Sequence, residues 1–369
     1  MTTTPADTRL ATAQLPYVSP TARARRILGN TWSHPVVRAL GKALLSIYIT
    51  TTLVFFIIRL MPGSPVELKI DELIQQGQMS YEEAKAAASS LFSIDLNAPL
   101  HEQYLHFMGN LIRGDLGNSF LSQGSSVMSI VLAVLPYTLF AVGTGLLLSF
   151  AVGIFLGLIA AYRRNSPLDH LVSSGSSIVS SIPNYLIALL IVLVLGVQLR
   201  WLPITQMRGS FTAGIEPGFT PAFIGDILFH AALPISVFFL TTLGHWVLSM
   251  KAATVSTLEE DYVTAARARG LTDGRITTAY VGRNAVLPLV TQLAISAGFV
   301  VGGAILVEKY FVYQGVGLRL FAAIQQRDYP VMQGIVLITT VSVVLANLAA
   351  DLLYSKLDPR IGRAGGSSG

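Results

Sequence analysis

Cysteine is absent from the 369 residues, and charged side chains make up only 12% of them. The first absence excludes a disulfide framework, a thiol nucleophile and any cysteine-based metal site. The second excludes an ordinary soluble domain, in which about 25% of residues are charged. No G-x-x-x-x-G-K-[ST] phosphate loop occurs: Gly41-Lys42 is followed by Ala43 and has no glycine five residues upstream. There is no H-E-x-x-H run either. The histidines (His34, His101, His106, His170, His230 and His245) show no ligand spacing, and His101 and His106 read as one solvated helical face. A chain without an ATPase motif or an obvious proton relay points to an energy source in another subunit.

What the chain has in abundance is apolar length. Hydrophobic residues are 52% of it and the mean hydropathy is +0.60. A bilayer-crossing helix needs about 20 predominantly apolar residues. Six such spans are expected at 39–61, 131–162, 172–199, 227–250, 286–307 and 331–354, giving an all-α polytopic membrane protein. The second is ambiguous, because no charge occurs from Leu116 to Tyr162. Pro136-Tyr137-Thr138 and Gly143-Thr144-Gly145 are the candidate breaks, and one long tilted helix is preferred over two. Arg59 and Lys42, at the ends of the first span, are expected to snorkel to the interface.

Charge decides the orientation. With six spans and both termini cytosolic, 16 of the 25 Lys and Arg residues fall inside. The 62–126 segment has Lys69, Lys85 and Arg113 against eight acids, which places it outside. Splitting the second span would instead expose the five basic residues of 251–285 to the outside. The pI of about 9.4 is therefore loop charge that fixes topology, and no nucleic-acid partner is implied. The expected organisation is a cytosolic tail (1–38), a first span (39–61), an extracytoplasmic insertion (62–126), a core (127–358) with a cytosolic loop at 251–285, and a C-terminal tail (359–369). That tail ends in what reads as an appended Gly-Ser linker. Within the insertion, Ser80 is expected to cap a helix starting at Tyr81, and Leu100–Leu111 to form an amphipathic helix.

Between the fourth and fifth spans lies a compact basic module. Asp261 to Ala268 suits a short helix, with acid at its start and Ala265, Ala266 and Ala268 within it. Gly270 permits the left-handed turn that ends such a helix, and Gly274 offers a second bend. Arg267, Arg269 and Arg275 form a basic face suited to an acidic partner, or simply a solvated loop. Ala294, Gly298 and Gly302 recur every four residues, as do Gly153, Gly157 and Ala161, which allows close helix approach. The third span is unusually polar. Ser177, Ser181 and Asn184, with Thr241, Thr242, His245, Gln292 and Ser296 on later spans, are pore candidates; the alternative for the serines is back-bonding within their helix. Asp351, the one charge well inside a span, reads as structural.

Several ordered motifs resemble a known family. Thr264-Ala265-Ala266-x-x-x-Gly270, followed by Leu287-Pro288, resembles the EAA loop of bacterial ABC importer permeases. Arg59-Leu60-Met61-Pro62-Gly63-Ser64-Pro65, Gly114-Asp115-Leu116-Gly117-Asn118-Ser119, Val307-Glu308-Lys309-Tyr310-Phe311, Gly315-Val316-Gly317, Arg327-Asp328-Tyr329-Pro330, Gln333-Gly334 and Leu357-Asp358-Pro359-Arg360 resemble its dipeptide/oligopeptide (DppB/OppB-like) branch. The likeness runs over residues 39–362. Departures are Thr264 for the usual glutamate, Ser64 for aspartate and Gln314 for proline.

The resemblance implies a type I ABC importer permease fold of six transmembrane helices in the bacterial inner membrane. It implies no catalytic residue and no cofactor in this chain, with ATP and Mg bound by two partner ATPase subunits. A second homologous permease and an extracytoplasmic substrate-binding protein complete the expected assembly. Tyr262, Thr264, Ala265, Ala266, Arg267, Arg269, Gly270, Leu271, Gly274 and Arg275 would form the ATPase-coupling element. Asp115, Gly315, Arg327 and Asp328 would be outer-loop contacts for the binding protein. Peptides are the expected cargo, with nickel, glutathione and oligosaccharides as alternatives within the branch. An ATP-independent transporter or channel, and a non-transporting scaffold, are alternatives outside it.

Overall fold

The computed structural model describes residues 35–63, 65–77, 80–91, 98–122, 124–302 and 305–357. The expected tail through residue 34, Ser64, Asp358-Pro359-Arg360 and the closing linker lie outside the described residues, as does the side chain of Asp351. The chain divides into two compact units, 1–45 and Ser46–Gly369. Of the first, the described part is the opening of helix α1 (Pro35–Leu60). The contacts below belong to the second.

Three helices follow α1 in the 62–126 segment: α2 (Pro65–Gly77), α3 (Tyr81–Leu91) and α4 (Leu100–Ile112). Ser80 starts α3 through a reciprocal box. Its hydroxyl accepts from the Glu83 N–H, and the Glu83 carboxylate accepts from the Ser80 N–H and hydroxyl. Ile70 of α2 packs on Ala84 of α3.

The second expected span is one uninterrupted helix, α5 (Val127–Tyr162), with Pro136 inside it. Ser126 caps it by accepting the Ser129 N–H. The fourth span is longer than its apolar run: α9 (Pro221–Leu258) begins at a Thr220 cap with proline at the first helical position. The fifth span enters through α11 (Asp273–Arg275) and a π-helical stretch (Ile276–Gly282) before α12 (Arg283–Val300). The sixth is α15 (Tyr329–Leu357), and the short helices α13 (Ile305–Phe311) and α14 (Val316–Gln326) precede it.

Two expectations need correction. The third span is not one straight helix. It consists of α6 (Pro167–Ser181) and α7 (Asn184–Leu190), which runs on as a π-helical segment Ile191–Gln198, and the two parts are bent by 98°. The short α8 (Ile204–Met207) follows in the loop to α9. Pro183 crowds the backbone of Ile182 out of the helical region (φ −90°, ψ 123°), so the first part ends there. Five described helices are therefore long and apolar enough to cross a bilayer, and six crossings result if the bent pair counts as one. The fifth span also stops at Val300 rather than at residue 307, and helix resumes only at Ile305.

The packing of these helices rests on small residues. α5 lies along α9, with Gly145, Gly153 and Gly157 at the contact. α12 lies along α15, where a Cβ on Gly298 would stand 2.6 Å from Ala346 Cβ. α6 lies along α9, where Gly244 faces the carbonyl of Ser176. Small-residue stripes of this kind let backbones approach where lipid removes the hydrophobic drive between helices.

Candidate functional site: a basic surface helix and a polar chamber

Helix α10 (Asp261–Ala268) sits between α9 and the fifth span. Val263 and Ala266 are buried on one side of it against Ile276 and Val281, with Leu258, Leu271 and Tyr280 packed around them. Its C-terminus closes as a Schellman motif. The Leu271 N–H donates to the Ala266 carbonyl and the Gly270 N–H to that of Arg267, with Gly270 at φ +74°. Leu271 folds back onto the same apolar base. Tyr262 is tied to the fifth span by the Asn284 amide, 3.0 Å from its hydroxyl.

What remains outward is a rigid basic surface. Tyr262, Thr264, Ala265, Arg267, Arg269, Gly270, Gly274 and Arg275 are exposed, and none of the three arginines is in an ion pair among the described residues. Ala266 belongs to the base of the element and not to its outer face. Gly274 does not form a second bend; it lies inside α11, so the helical run continues straight into the fifth span.

Next to this module, Lys251 of α9 pairs with Asp169 of α6 and donates to Ser173 at 2.8 Å. Asp169 is 3% exposed and also accepts the Asn165 N–H at 3.0 Å. The bent third span is thereby pinned to α9 at the end where α10 attaches.

A cavity of about 340 Å³ opens between α5, α7, α9 and α12. Asn184, Thr241, Thr242, His245 and Ser296, all pore candidates, line it together with Phe238, Trp246 and Phe299. Gln292 reaches the chamber through His245, with the two side-chain nitrogens 2.7 Å apart. Asn184 arrives there because the chain turns by 98° just before it. Ser177 and Ser181 are not among the lining residues. The Ser181 hydroxyl donates to the Ser177 carbonyl at 2.8 Å, so back-bonding within the helix accounts for it. Sequence reasoning missed the apolar part of the wall, Phe238, Trp246, Phe299 and Val300, because on these spans apolar residues are the rule and carry no signal.

At the Val127 end of α5, the outer-loop candidates divide into exposed and buried positions. Asp115 is exposed and accepts the N–H of Gly117 in a local turn. Asp328 is 1% exposed; it accepts from the Ser119 hydroxyl and the Phe120 N–H and so holds the 119–122 loop to the start of α15. Arg327 adopts a left-handed conformation and donates to the Gly63 carbonyl. Gly315 is buried, where a Cβ would sit 2.3 Å from the Glu308 carboxylate. Glu308 went unremarked beyond its motif, yet it is the hub of this region. Its carboxylate accepts from the Thr138 hydroxyl (2.9 Å), the Leu318 N–H (2.8 Å) and the Gly317 N–H. Arg59 does not snorkel freely: its guanidinium lies between the rings of Phe55 and Tyr329, 4.9 Å from each, and donates to Gln103.

The model of a family described as "binding-protein-dependent transport system inner membrane component" matches residues 153–363. A putative peptide permease protein of Brucella suis biovar 1 is 34% identical over 314 residues, covering 84% of this chain and 93% of that protein. The di/tripeptide transport system permease protein DppB of Pseudomonas aeruginosa is 34% identical over 338 residues, covering 88% and 98%. The glutathione transport system permease protein GsiC of Pectobacterium atrosepticum is 31% identical over 323 residues, covering 86% and 94%.

Proposed function

Because the chain belongs to the family of inner membrane components of binding-protein-dependent transport systems, we propose that it forms half of the translocation pore of an ATP-driven importer for di- and oligopeptides. A second, homologous permease completes the pore, two ATPase subunits drive it, and an extracytoplasmic binding protein delivers cargo. Both termini and the 251–285 loop face the cytoplasm, and the 62–126 segment faces outward to help receive the binding protein. The charge distribution supports that orientation.

One observation carries the proposal: the docking helix. A short helix on a buried apolar base, joined at both ends to spans, moves as a body with them. Closure of two ATPase subunits around Arg267, Arg269 and Arg275 would rock α9 and the fifth span, and the Lys251–Asp169 pair would carry α6 along. Nucleotide shifts such an equilibrium only through unequal affinity for the two states of the pore.

Arg267→Glu and Gly270→Pro test it in proteoliposomes containing all subunits. The first reverses the outward charge without touching the base. The second forces φ to about −65° where the chain stands at +74°. Both are expected to cut ATP-dependent uptake at least about tenfold while the protein still inserts and purifies. Unchanged transport in both variants would remove the docking role. Cargo is assigned by the binding protein that copurifies with the complex; glutathione in that protein would favour the second substrate class.

A further inference from the structure

The chamber between α5, α7, α9 and α12 has a chemistry of its own. At about 340 Å³ it falls at the small end of ligand-sized pockets, which run from about 300 to 1,000 Å³. Among the described residues no Asp, Glu, Lys or Arg lines it. Some of its polar groups are already spent. Thr241 donates to the carbonyls of Val237 and Phe238, and Thr242 to Ser149 and the Phe238 carbonyl.

Others are free. The Asn184 amide and the Ser296 hydroxyl bond to no other group among the described residues. His245 engages Gln292 through Nε2 alone, which leaves Nδ1 without a partner among the described residues. These three side chains come from three elements, α7, α9 and α12, and meet only because of the bend before Asn184.

We propose that the chamber is a transient binding site for the backbone of a short peptide in passage, with Asn184, Ser296 and His245 as its specificity-determining side chains. The proposal deepens the permease reading above and rests on it. A peptide backbone offers N–H donors and C=O acceptors in alternation and carries no charge between its ends. An amide, a hydroxyl and an imidazole between them supply both donors and acceptors. Phe238, Trp246, Phe299 and Val300 offer side chains an apolar wall that does not discriminate among them. A fixed charge would hold peptides of opposite sign and reject the rest, so its absence suits a conduit that passes many sequences. Gln292 is a positioning residue: its hydrogen bond orients the imidazole and leaves Nδ1 for the cargo.

The test uses the purified complex of both permeases and both ATPase subunits, without the binding protein. Equilibrium binding of radiolabelled trialanine is measured by scintillation proximity, with maltotriose as competitor. Saturable binding is expected, unaffected by maltotriose. Asn184→Ala and Ser296→Ala should each weaken it about threefold to tenfold, as befits one lost hydrogen bond. Asn184→Asp should make the chamber choose, favouring trilysine over triglutamate by at least about tenfold, where the unaltered complex favours neither.

Absence of saturable binding, equal affinity in all three variants, or displacement by maltotriose overturns the site. ATP-dependent uptake with the binding protein present is measured on the same preparations. If uptake persists while binding fails these criteria, the site alone falls. If no peptide is taken up with every subunit present, the permease reading falls with it.

Discussion

Gly157→Val is expected to drive apart the two longest of the described helices, α5 and α9. At Gly157 an added Cβ would stand 2.5 Å from the Val247 carbonyl oxygen and 2.7 Å from Met250 Cβ. The same contact line continues at Gly153, 2.4 Å from Trp246 Cβ, and at Gly145, 2.6 Å from Phe238 Cβ. These neighbours are backbone atoms and Cβ atoms, which cannot rotate out of the way. Overpacking a well-filled core costs about 1–3 kcal/mol when side chains can adjust. Here α9 itself has to shift, so the cost belongs at or above the top of that range. The shift also deforms the chamber, because α5 and α9 supply two of its walls. Fluorescence-detected size-exclusion chromatography of Gly157→Val is expected to show little monodisperse protein. Gly109→Ala is the control: nothing lies within 4 Å of its added Cβ, and exchanging glycine for alanine in a helix gains up to about 1 kcal/mol. Normal behaviour of Gly157→Val would mean that the two helices do not approach as described.

Removal of Glu308 is expected to unfasten the segment between the fifth and sixth spans. The Thr138 hydroxyl donates to this carboxylate from α5, and the Leu318 and Gly317 N–H groups donate to it from α14. In Glu308→Ala these buried donors lose their acceptor, at about 1–3 kcal/mol apiece. A loss of about 4 kcal/mol is therefore expected, read as a large fall in thermal stability in detergent. Glu308→Gln keeps the volume and one acceptor and should lose less.

The same residue makes stability depend on pH. Burial pushes its pKa up from 4.5 to about 7, against the opposing pull of its hydrogen bonds. The folded protein therefore binds a proton more tightly at Glu308 than the unfolded chain does. The resulting contribution is complete below pH 4.5 and is lost as the pH rises through about 7. It amounts to about 3 kcal/mol over that window. Thermal stability should fall from pH 5 to pH 8 in the parent protein, and more shallowly in Glu308→Gln. Parallel profiles would show that the carboxylate is ionised in the fold throughout.

Periodicity and composition alone were enough for the class of protein and the rough position of its helices. Apolar length is a local property, so α1, α5, α9 and α15 appear where their runs of residues place them. Local stereochemistry was equally legible. Ser80 caps α3 with Glu83 in its first turn, and Gly270 takes the left-handed turn that releases α10. The first turns of α6 and α9 were missed because Asp169-His170 and Gly225-Asp226 interrupt the apolar runs there. Ser166-Pro167 and Thr220-Pro221, each a cap followed by proline, are the signals that would have found them. The EAA-like stretch and the other ordered motifs carried the family.

Only the tertiary structure decided which of the scattered polar side chains meet. Ser177, Ser181 and Asn184 are close in sequence and look alike as pore candidates. The bend at Pro183 sends Asn184 into the chamber and leaves the serines on α6, and Pro183 could be read as a break but not as an angle of 98°. Gly315 and Asp328 sit in motifs that resemble surface loops, yet one makes room for a buried carboxylate and the other is itself buried. Spacing along the chain reports which residues share a helix face. It does not report which helix lies opposite, because that is fixed by contacts among residues more than a hundred positions apart, such as Thr138 with Glu308.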